Sequence, residues 1–438
     1  MYFEIYSKGN LIARGNEILN DFDWNNTLME IPSTSITLPI TYSEYFKGRE
    51  EVLIYVNGKC FHGIVTEPSI DKEEETIEVQ LEHIISEWQF RQISVNNAIK
   101  AKKINIIYKE EKDGKPSGDP SVQDQLEDIY NDTNFAYPGW TIDMSDEAAN
   151  TVIDYVYSRQ NKLEALNQTM ELTEDLYWRV SFVPDRVLEI SKFGEKKQWV
   201  ISNKPSGVNN ICIITAPTIE TDFSDVANLA SVYSEKSDTG MSSLTLREVY
   251  NDPSLQTEGF PVVILRDNVN NERDYSKYTT QYPALAPNNE LEYAVIDEES
   301  VAMEGGILIE TTFAFNDISA FEVESKNGEN KEITDADRIL AATTAYEAAK
   351  RRLRGKRRKT KIKVTTEKFP NDLNVGDRVI FRYNNLLYLM TDCGEYMQMV
   401  LSLNDWFYIT ELEYHFGADD SETVDVTLEK FLYREVSD

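Results

Sequence analysis

The stretch ITLPITYSEYFKGREEVLIYVNG (residues 36–58) is echoed near the other end of the chain by IKVTTEKFPNDLNVGDRVIFRYNN (362–385). Each reads as a strand, a descent into a Gly-plus-charge turn (Gly48-Arg49, Gly376-Asp377), and a second strand ending in an Asn turn. The order then continues in step. CFHGIVTE (60–67) and WFYITELE (406–413) are aromatic-led strands carrying Thr-Glu, followed by the acidic turns DKEEE (71–75) and GADDSE (417–422). TIEVQLEH (76–83) and TVDVTLEK (423–430) alternate with the period of a half-buried strand. A repeat of this kind decides the fold. It predicts two similar small antiparallel β-barrels, over 1–95 and 356–438, with 206–235 a candidate to complete the first. The second copy carries an insertion, LLYLMTDCGEYMQMVLSLND (386–405), expected as a projecting hairpin. Two unrelated meanders with similar turns would read the same way, so the structure must decide.

The sequence between the copies has a different texture. Within an expected inserted α+β domain (96–205), EKDGKPSGDPS (111–121) has the composition of a loop. Leu163, Leu166, Met170 and Thr173 then recur at helical spacing, and LYWRVSF with RVLEISKF forms a hairpin around Pro184-Asp185. Residues 236–355 read as a further mixed domain, with strands in PVVILRDN (261–268) and ILIETTFAF (307–315). Its last element is a helix capped by Thr334, with Asp335 and Asp337 in the first turn and Ile339, Ala342, Tyr346, Ala349 and Leu353 on one face. Gly355 stops it. The fold class expected is therefore α+β and β-rich.

At 438 residues, about three units are expected. Hydrophobic residues at 41% suit ordered cores, and 24 tyrosines among many Val, Ile and Thr favour strands. Cys60, Cys212 and Cys393 are too dispersed for a disulfide framework and read as reduced core residues. No apolar run approaches the ~20 residues that cross a bilayer, and no signal peptide opens the chain, so cytoplasmic synthesis without stable membrane insertion is expected. A net charge of -32 opposes general binding to nucleic acid. No H-E-x-x-H, G-x-S-x-G, Walker or dinucleotide motif occurs, and His62, His83 and His415 read as structural or surface residues. Asp297 to Ser300 (DEES) lacks the spacing of a calcium loop and reads as a helix start. No catalytic residue, cofactor or metal is expected.

Against this acidic background stands KRRLRGKRRKTKIK (350–363), ten cations in fourteen positions with no acid. Lys350, Arg351, Arg352 and Arg354 suit the last turn of a helix. Lys359, Lys361 and Lys363 share one face of the strand that follows. This accounts for their position but not their density. A subunit contact through Lys350, Arg351, Arg352, Arg354, Arg357, Arg358 and Lys359 is one reading. A solvated helix end and a contact with exiting DNA are the others.

The arrangement resembles the hub proteins at the tail tip of bacterial viruses: the N-terminal hub region of siphophage tail-associated lysins, and contractile-phage baseplate hubs. DWNNTLMEIPSTSITLPI with VLIYVNGKCFHGIVTE looks like a first hub barrel, and NKLEALNQTMELTEDLYWRVSF with PDRVLEI like the inserted unit. VIDEESVAMEGGILIE, AATTAYEAAKRRL and DLNVGDRVIFRYNN look like the second half. The resemblance implies a structural virion protein at the tail tip. It would be a homotrimer whose six barrels match a six-fold distal tail protein or tail tube ring. Such a hub contacts the tape measure protein, carries a tip fibre or spike, closes or gates the channel, and lets DNA pass without specific binding. A cell-wall-degrading enzyme or a receptor-binding tail protein, the latter using Tyr388, Tyr396 or Trp406, are the alternatives. The chain ends at Asp438 without an appended peptidase or lysozyme region, which the resemblance would place after the hub.

Overall fold

The computed structural model describes residues 1–92, 139–151, 153, 160–204, 207, 209–233, 246–267, 291–315, 318, 325–326, 329–330, 335–390, 396–417 and 421–433. The first unit contains β1 (Tyr2–Ser7), β2 (Asn10–Gly15), β3 (Phe22–Thr27), β4 (Ser33–Pro39), β5 (Glu51–Val56), β6 (Lys59–Asp71) and β7 (Thr76–His83). The inserted unit contains β8 (Trp140–Met144), α1 (Asp146–Asn150), α2 (Lys162–Glu171), β9 (Tyr177–Val180) and β10 (Arg186–Ser191). Next come β11 (Lys196–Ser202), β12 (Asn210–Cys212) and β13 (Thr218–Asp222). A mixed unit follows: β14 (Leu229–Tyr233), α3 (Arg247–Asn251), β15 (Val262–Asp267), β16 (Leu291–Ile296), α4 (Glu298–Met303), β17 (Glu310–Ala314), β18 (Ser325–Lys326), β19 (Glu329–Asn330) and α5 (Asp335–Gly355). The chain closes with β20 (Lys359–Glu367), β21 (Arg378–Met390), β22 (Tyr396–Phe416) and β23 (Glu422–Glu429).

The repeat is present in the strand pairing. The first copy has the order β4-β7-β6-β5 and the second β20-β23-β22-β21, all antiparallel. Registers correspond as well: Glu51 faces Ile64 and Arg378 faces Tyr408, while Ile36 faces Val79 and Val364 faces Val426. Each third strand bulges at a threonine. Thr66 Oγ1 donates to the Gln80 carbonyl at 3.2 Å, and Thr410 Oγ1 to the Thr427 carbonyl at 3.3 Å. Both Gly-plus-charge turns are tied by the acid that follows: Glu50 accepts from the Lys47 and Gly48 N–H groups, Asp377 from the Asn374 N–H. A residue inserted in a ladder re-aims its strand, so the shared bulge gives both copies the same bend.

Both copies lie in one open fourteen-stranded sheet that runs from β12 to β2. No sheet among the described residues closes into a barrel, contrary to the expectation from sequence. The copies are instead stitched edge to edge, with β22 beyond its bulge pairing with β3 from Glu411↔Thr27 to Phe416↔Phe22. Trp24 fills this seam, stacking on Phe61 and on Phe182 of the inserted unit and lying 4.5 Å from the Phe416 ring.

Two further expectations are revised. Of the strands within 206–235, β12 and β13 lie on the side of the second copy rather than the first, since β12 pairs with β11, itself beside β21, and β13 pairs with β20, while β14 joins the sheet of the mixed unit. Opposite charges select that pairing: Asp222 faces Lys359 and Glu220 faces Lys361. The second copy also makes no turn at Asn384-Asn385, where β21 runs on and pairs with β22 up to Met390↔Tyr396. In the first copy Asn57 (φ 50°) and Gly58 (φ 80°) supply the two left-handed residues of a tight hairpin; no glycine follows Asn385.

The inserted unit has the expected helix and hairpin. Asn161 and Glu164 form a reciprocal cap on α2, and Leu163, Leu166 and Met170 are buried. Its sheet has the order β8-β10-β9, and the mixed unit's is β15-β16-β14-β17. The expected cap Thr334 and the loop 111–121 lie outside the described residues.

Candidate functional site

The basic stretch lies where all the units meet. Lys350, on α5, is fully buried; its Nζ sits 2.9 Å from Glu174 and 2.8 Å from Glu347. Arg351 is buried too, donating to the Met170 and Leu176 carbonyls at 2.7 and 2.6 Å with its guanidinium over the Tyr177 ring. Arg352 stacks on Phe315, and Arg354 pairs with Glu174. One helix turn thus clamps the inserted unit, through Glu174 and the end of α2, to the mixed unit.

Past Gly355 the pattern continues. Lys356 pairs with Asp225. Arg357 donates to both carboxylate oxygens of Asp297 at 2.6 and 2.8 Å and to Glu299 at 2.7 Å. Asp297 also accepts from the Ser300 N–H as the N-cap of α4, so the DEES stretch is a helix start as read from sequence. Arg358 forks onto both oxygens of Glu304 at 3.1 Å. Lys359 and Lys361 face the acids of β13, and Lys361 also lies 3.6 Å from Glu429.

The density of charge therefore has an account within one chain. Paired guanidinium–carboxylate forks are strong and geometrically specific, and here they fix how the units sit on one another. Lys350, Arg351 and Arg357 are buried against their own chain, which leaves the half-buried Arg352, Arg354, Arg358 and Lys359 for any subunit contact. Burial pushes the Glu347 carboxyl up to about 7, against the pull of Lys350. Burial also opposes ionisation of Glu174, but Lys350 and Arg354 outweigh it and hold that carboxyl below its usual range.

A second set of ion pairs joins the two copies. Buried Lys59 reaches Glu422 at 3.1 Å and the Phe369 carbonyl at 3.2 Å, and Asn57 donates to the same Glu422. His415 on β22 lies between Asp23 of β3, at 2.7 Å, and Asp425 of β23, at 3.3 Å. Partial burial lowers its pKa, but the two carboxylates outweigh that and raise it, favouring the protonated ring across the seam. Asp23, Glu413 and His415 form the one group among the described residues whose potential ligand atoms lie within 4.8 Å of one another.

The remaining histidines are structural. His62 bonds the Pro184 carbonyl at 2.8 Å and Glu51 at 3.0 Å, while His83 accepts from the Ile85 N–H. Burial drives the His83 pKa down to about 3. A cavity of about 390 Å³ opens between the inserted sheet and the second copy. Arg179 spans it, bonding Glu189 at 2.7 Å and Asp377 at 3.1 Å. Of the residues suggested for receptor contact, Trp406 is half-buried with Lys196 above its ring. The side chains of Tyr388 and Tyr396 lie outside the described residues.

The architecture can be matched to solved structures. A tail protein from Neisseria meningitidis aligns over 98% of this chain and 96% of its own, with a TM-score of 0.51 at 10% identity. The chain shares the fold of that tail protein. A prophage tail protein from Listeria monocytogenes is similar over 98% of this chain and 95% of its own, with a TM-score of 0.48 at 11% identity. A prophage MuSo2 tail protein from Shewanella oneidensis covers 98% of both chains at 0.46 and 12%. No family model and no curated protein matches the sequence. The likeness to the Neisseria protein is one of fold at 10% identity, and the resemblance read from the sequence patterns likewise concerns tail proteins.

Proposed function

We propose that the chain is a structural subunit of a phage tail tip. In this reading it is a hub that assembles as a homotrimer and presents six similar β units, two per chain, around one axis. The observation that carries it is the repeat: the same strand order, ladder registers and threonine bulge in both copies. A three-fold assembly of such a chain offers six near-equivalent surfaces, the number needed to meet a six-fold ring such as a distal tail protein or tail tube. The tape measure protein would meet one face of the hub and a fibre or spike the other, and the hub would close or gate the channel. The role is structural rather than catalytic, and its place is the virion tail tip.

Charge supports free passage of a genome. With the basic stretch paired inside the chain, the excess acid of a -32 protein faces outward, where it repels phosphate. Arg352, Arg354, Arg358 and Lys359 are the part of that stretch still able to meet a neighbouring subunit. Light scattering on the purified chain, at low and moderate salt, tests the proposal. A mass of three times 50.4 kDa is expected; a stable dimer would refute it.

A further inference from the structure

The seam inside the chain is a template for a seam between chains. Just past the Thr410 bulge, Glu411–Phe416 of β22 leaves β21 and lies antiparallel to β3, with Tyr414 opposite Trp24 and their rings 5.8 Å apart. In the first copy, the matching segment past the Thr66 bulge is Glu67–Asp71 of β6. It has β7 on one side and, among the described residues, no strand on the other.

The counterpart of β3 in the second copy is β13. Strand β3 lies beside β4 through Trp24↔Thr34, and β13 lies beside β20 through Ile219↔Ile362. Thr34 and Ile362 are matching positions, facing Leu81 and Leu428. The outer edge of β13 also has no strand among the described residues, and all five of its residues are exposed. By this correspondence Ile219 takes the place of Trp24, and Ile70 that of Tyr414. Both isoleucines are exposed, at 38% and 51%.

We propose that a second copy of the chain docks by laying its β13 antiparallel against β6 of the first, repeating between chains the joint that fuses the two copies within one. The register follows from the internal joint: Glu67 opposite Asp222, Ser69 opposite Glu220, Ile70 opposite Ile219 and Asp71 opposite Thr218. Two open edges exchange backbone hydrogen bonds, and the two exposed isoleucines cover each other. Glu67 with Asp222 is a like-charge pair, relieved by Lys359 on the far side of Asp222. Pro68 gives the ladder one donor fewer. The contact is head to tail, so repetition makes a ring if the rotation closes. The number of copies rests on the trimer reading, but the joint itself does not.

Cysteine cross-linking of the full chain tests the register. Residues directly opposite in an antiparallel pair have Cβ atoms about 4.5–5.5 Å apart, close enough for a disulfide after a small adjustment. A chain carrying both Ile70→Cys and Ile219→Cys should form covalent multimers on mild oxidation, lost on reduction. Either single variant should form none, which controls for Cys60, Cys212 and Cys393. Ile70→Asp and Ile219→Asp change exposed side chains and should leave a folded chain that no longer assembles. A trimer that neither cross-links nor responds to the aspartates overturns the joint and leaves the hub reading standing. A cross-linked series that closes at another number overturns the trimer and keeps the joint. A parent chain that stays monomeric, with a double-cysteine variant that stays uncross-linked, overturns both.

Discussion

Replacing Asp297 with Ala should be among the most damaging single changes to this chain. The Asp297 carboxylate is fully buried and accepts from Nε and Nη2 of Arg357, itself only 6% exposed, at 2.6 and 2.8 Å. It also caps α4 through the Ser300 N–H. Removing one partner of a buried pair strands the other and costs about 3–5 kcal/mol, and losing the cap adds ~1 kcal/mol. Glu299 stays within 2.7 Å of Arg357 but is mostly exposed, so it offsets only part. The expected loss is about 3–5 kcal/mol, read as a lower urea midpoint at unchanged slope. The double variant Asp297→Leu, Arg357→Met removes both charges and should cost less than Asp297→Ala alone, about 1–2 kcal/mol with the cap still missing. A single variant within ~0.5 kcal/mol of the parent, the level of an ordinary surface substitution, would refute the view that this pair fastens the units. So would a double variant worse than the single one.

A methyl group at residue 355 has no room, since a Cβ there would lie 2.1 Å from the Tyr433 ring. Gly355→Ala should therefore destabilise by about 1–3 kcal/mol, although the same change in an open helix stabilises by ~1. Thermal melts of Gly355→Ala with and without Tyr433→Ala separate the two effects, and a cost unchanged by Tyr433→Ala would reject the clash. Buried, neutral His83 binds fewer protons than the unfolded chain between its folded pKa of about 3 and the ordinary histidine range. Its contribution is thus present above that range and lost as pH falls through the window; urea midpoints between pH 7 and 5 should drop less in His83→Asn than in the parent. Burial pushes the Cys60 thiol up to about 12, so Cys60 should resist alkylation at pH 8 until the chain unfolds. Rapid labelling of Cys60 in the native protein would contradict its place in the core.

Where the sequence could be read, local chemistry carried the information. Alternation set the faces of β7 and β23, Asn57-Gly58 set a hairpin, and helical spacing in 163–170 and 339–353 set two helices. The repeat was visible because both copies place a Gly-plus-charge turn between corresponding strands, Gly48-Arg49 and Gly376-Asp377. What stayed hidden is non-local. The basic stretch contains no acid, and its partners Glu174, Asp225, Asp297 and Glu304 come from segments far away along the chain, so only the folded chain brings the charges together. The edge positions of β12 and β13 were hidden for the same reason, as either copy offers an edge for an extra strand. Signals did exist: β13 reads TIETD and meets KTKIK, an alternation of acids against one of lysines. Asn384-Asn385 resembled Asn57-Gly58 without the glycine that makes such a turn easy.

In the proposed assembly, one chain supplies two equivalent units to a common ring. Averaged electron-microscope images of the assembled protein, viewed down its axis, test it most directly. The account predicts three chains forming six similar lobes with three-fold symmetry and a pseudo-six-fold outline. A particle with two-fold symmetry, or a ring in which each chain contributes a single lobe, would contradict it.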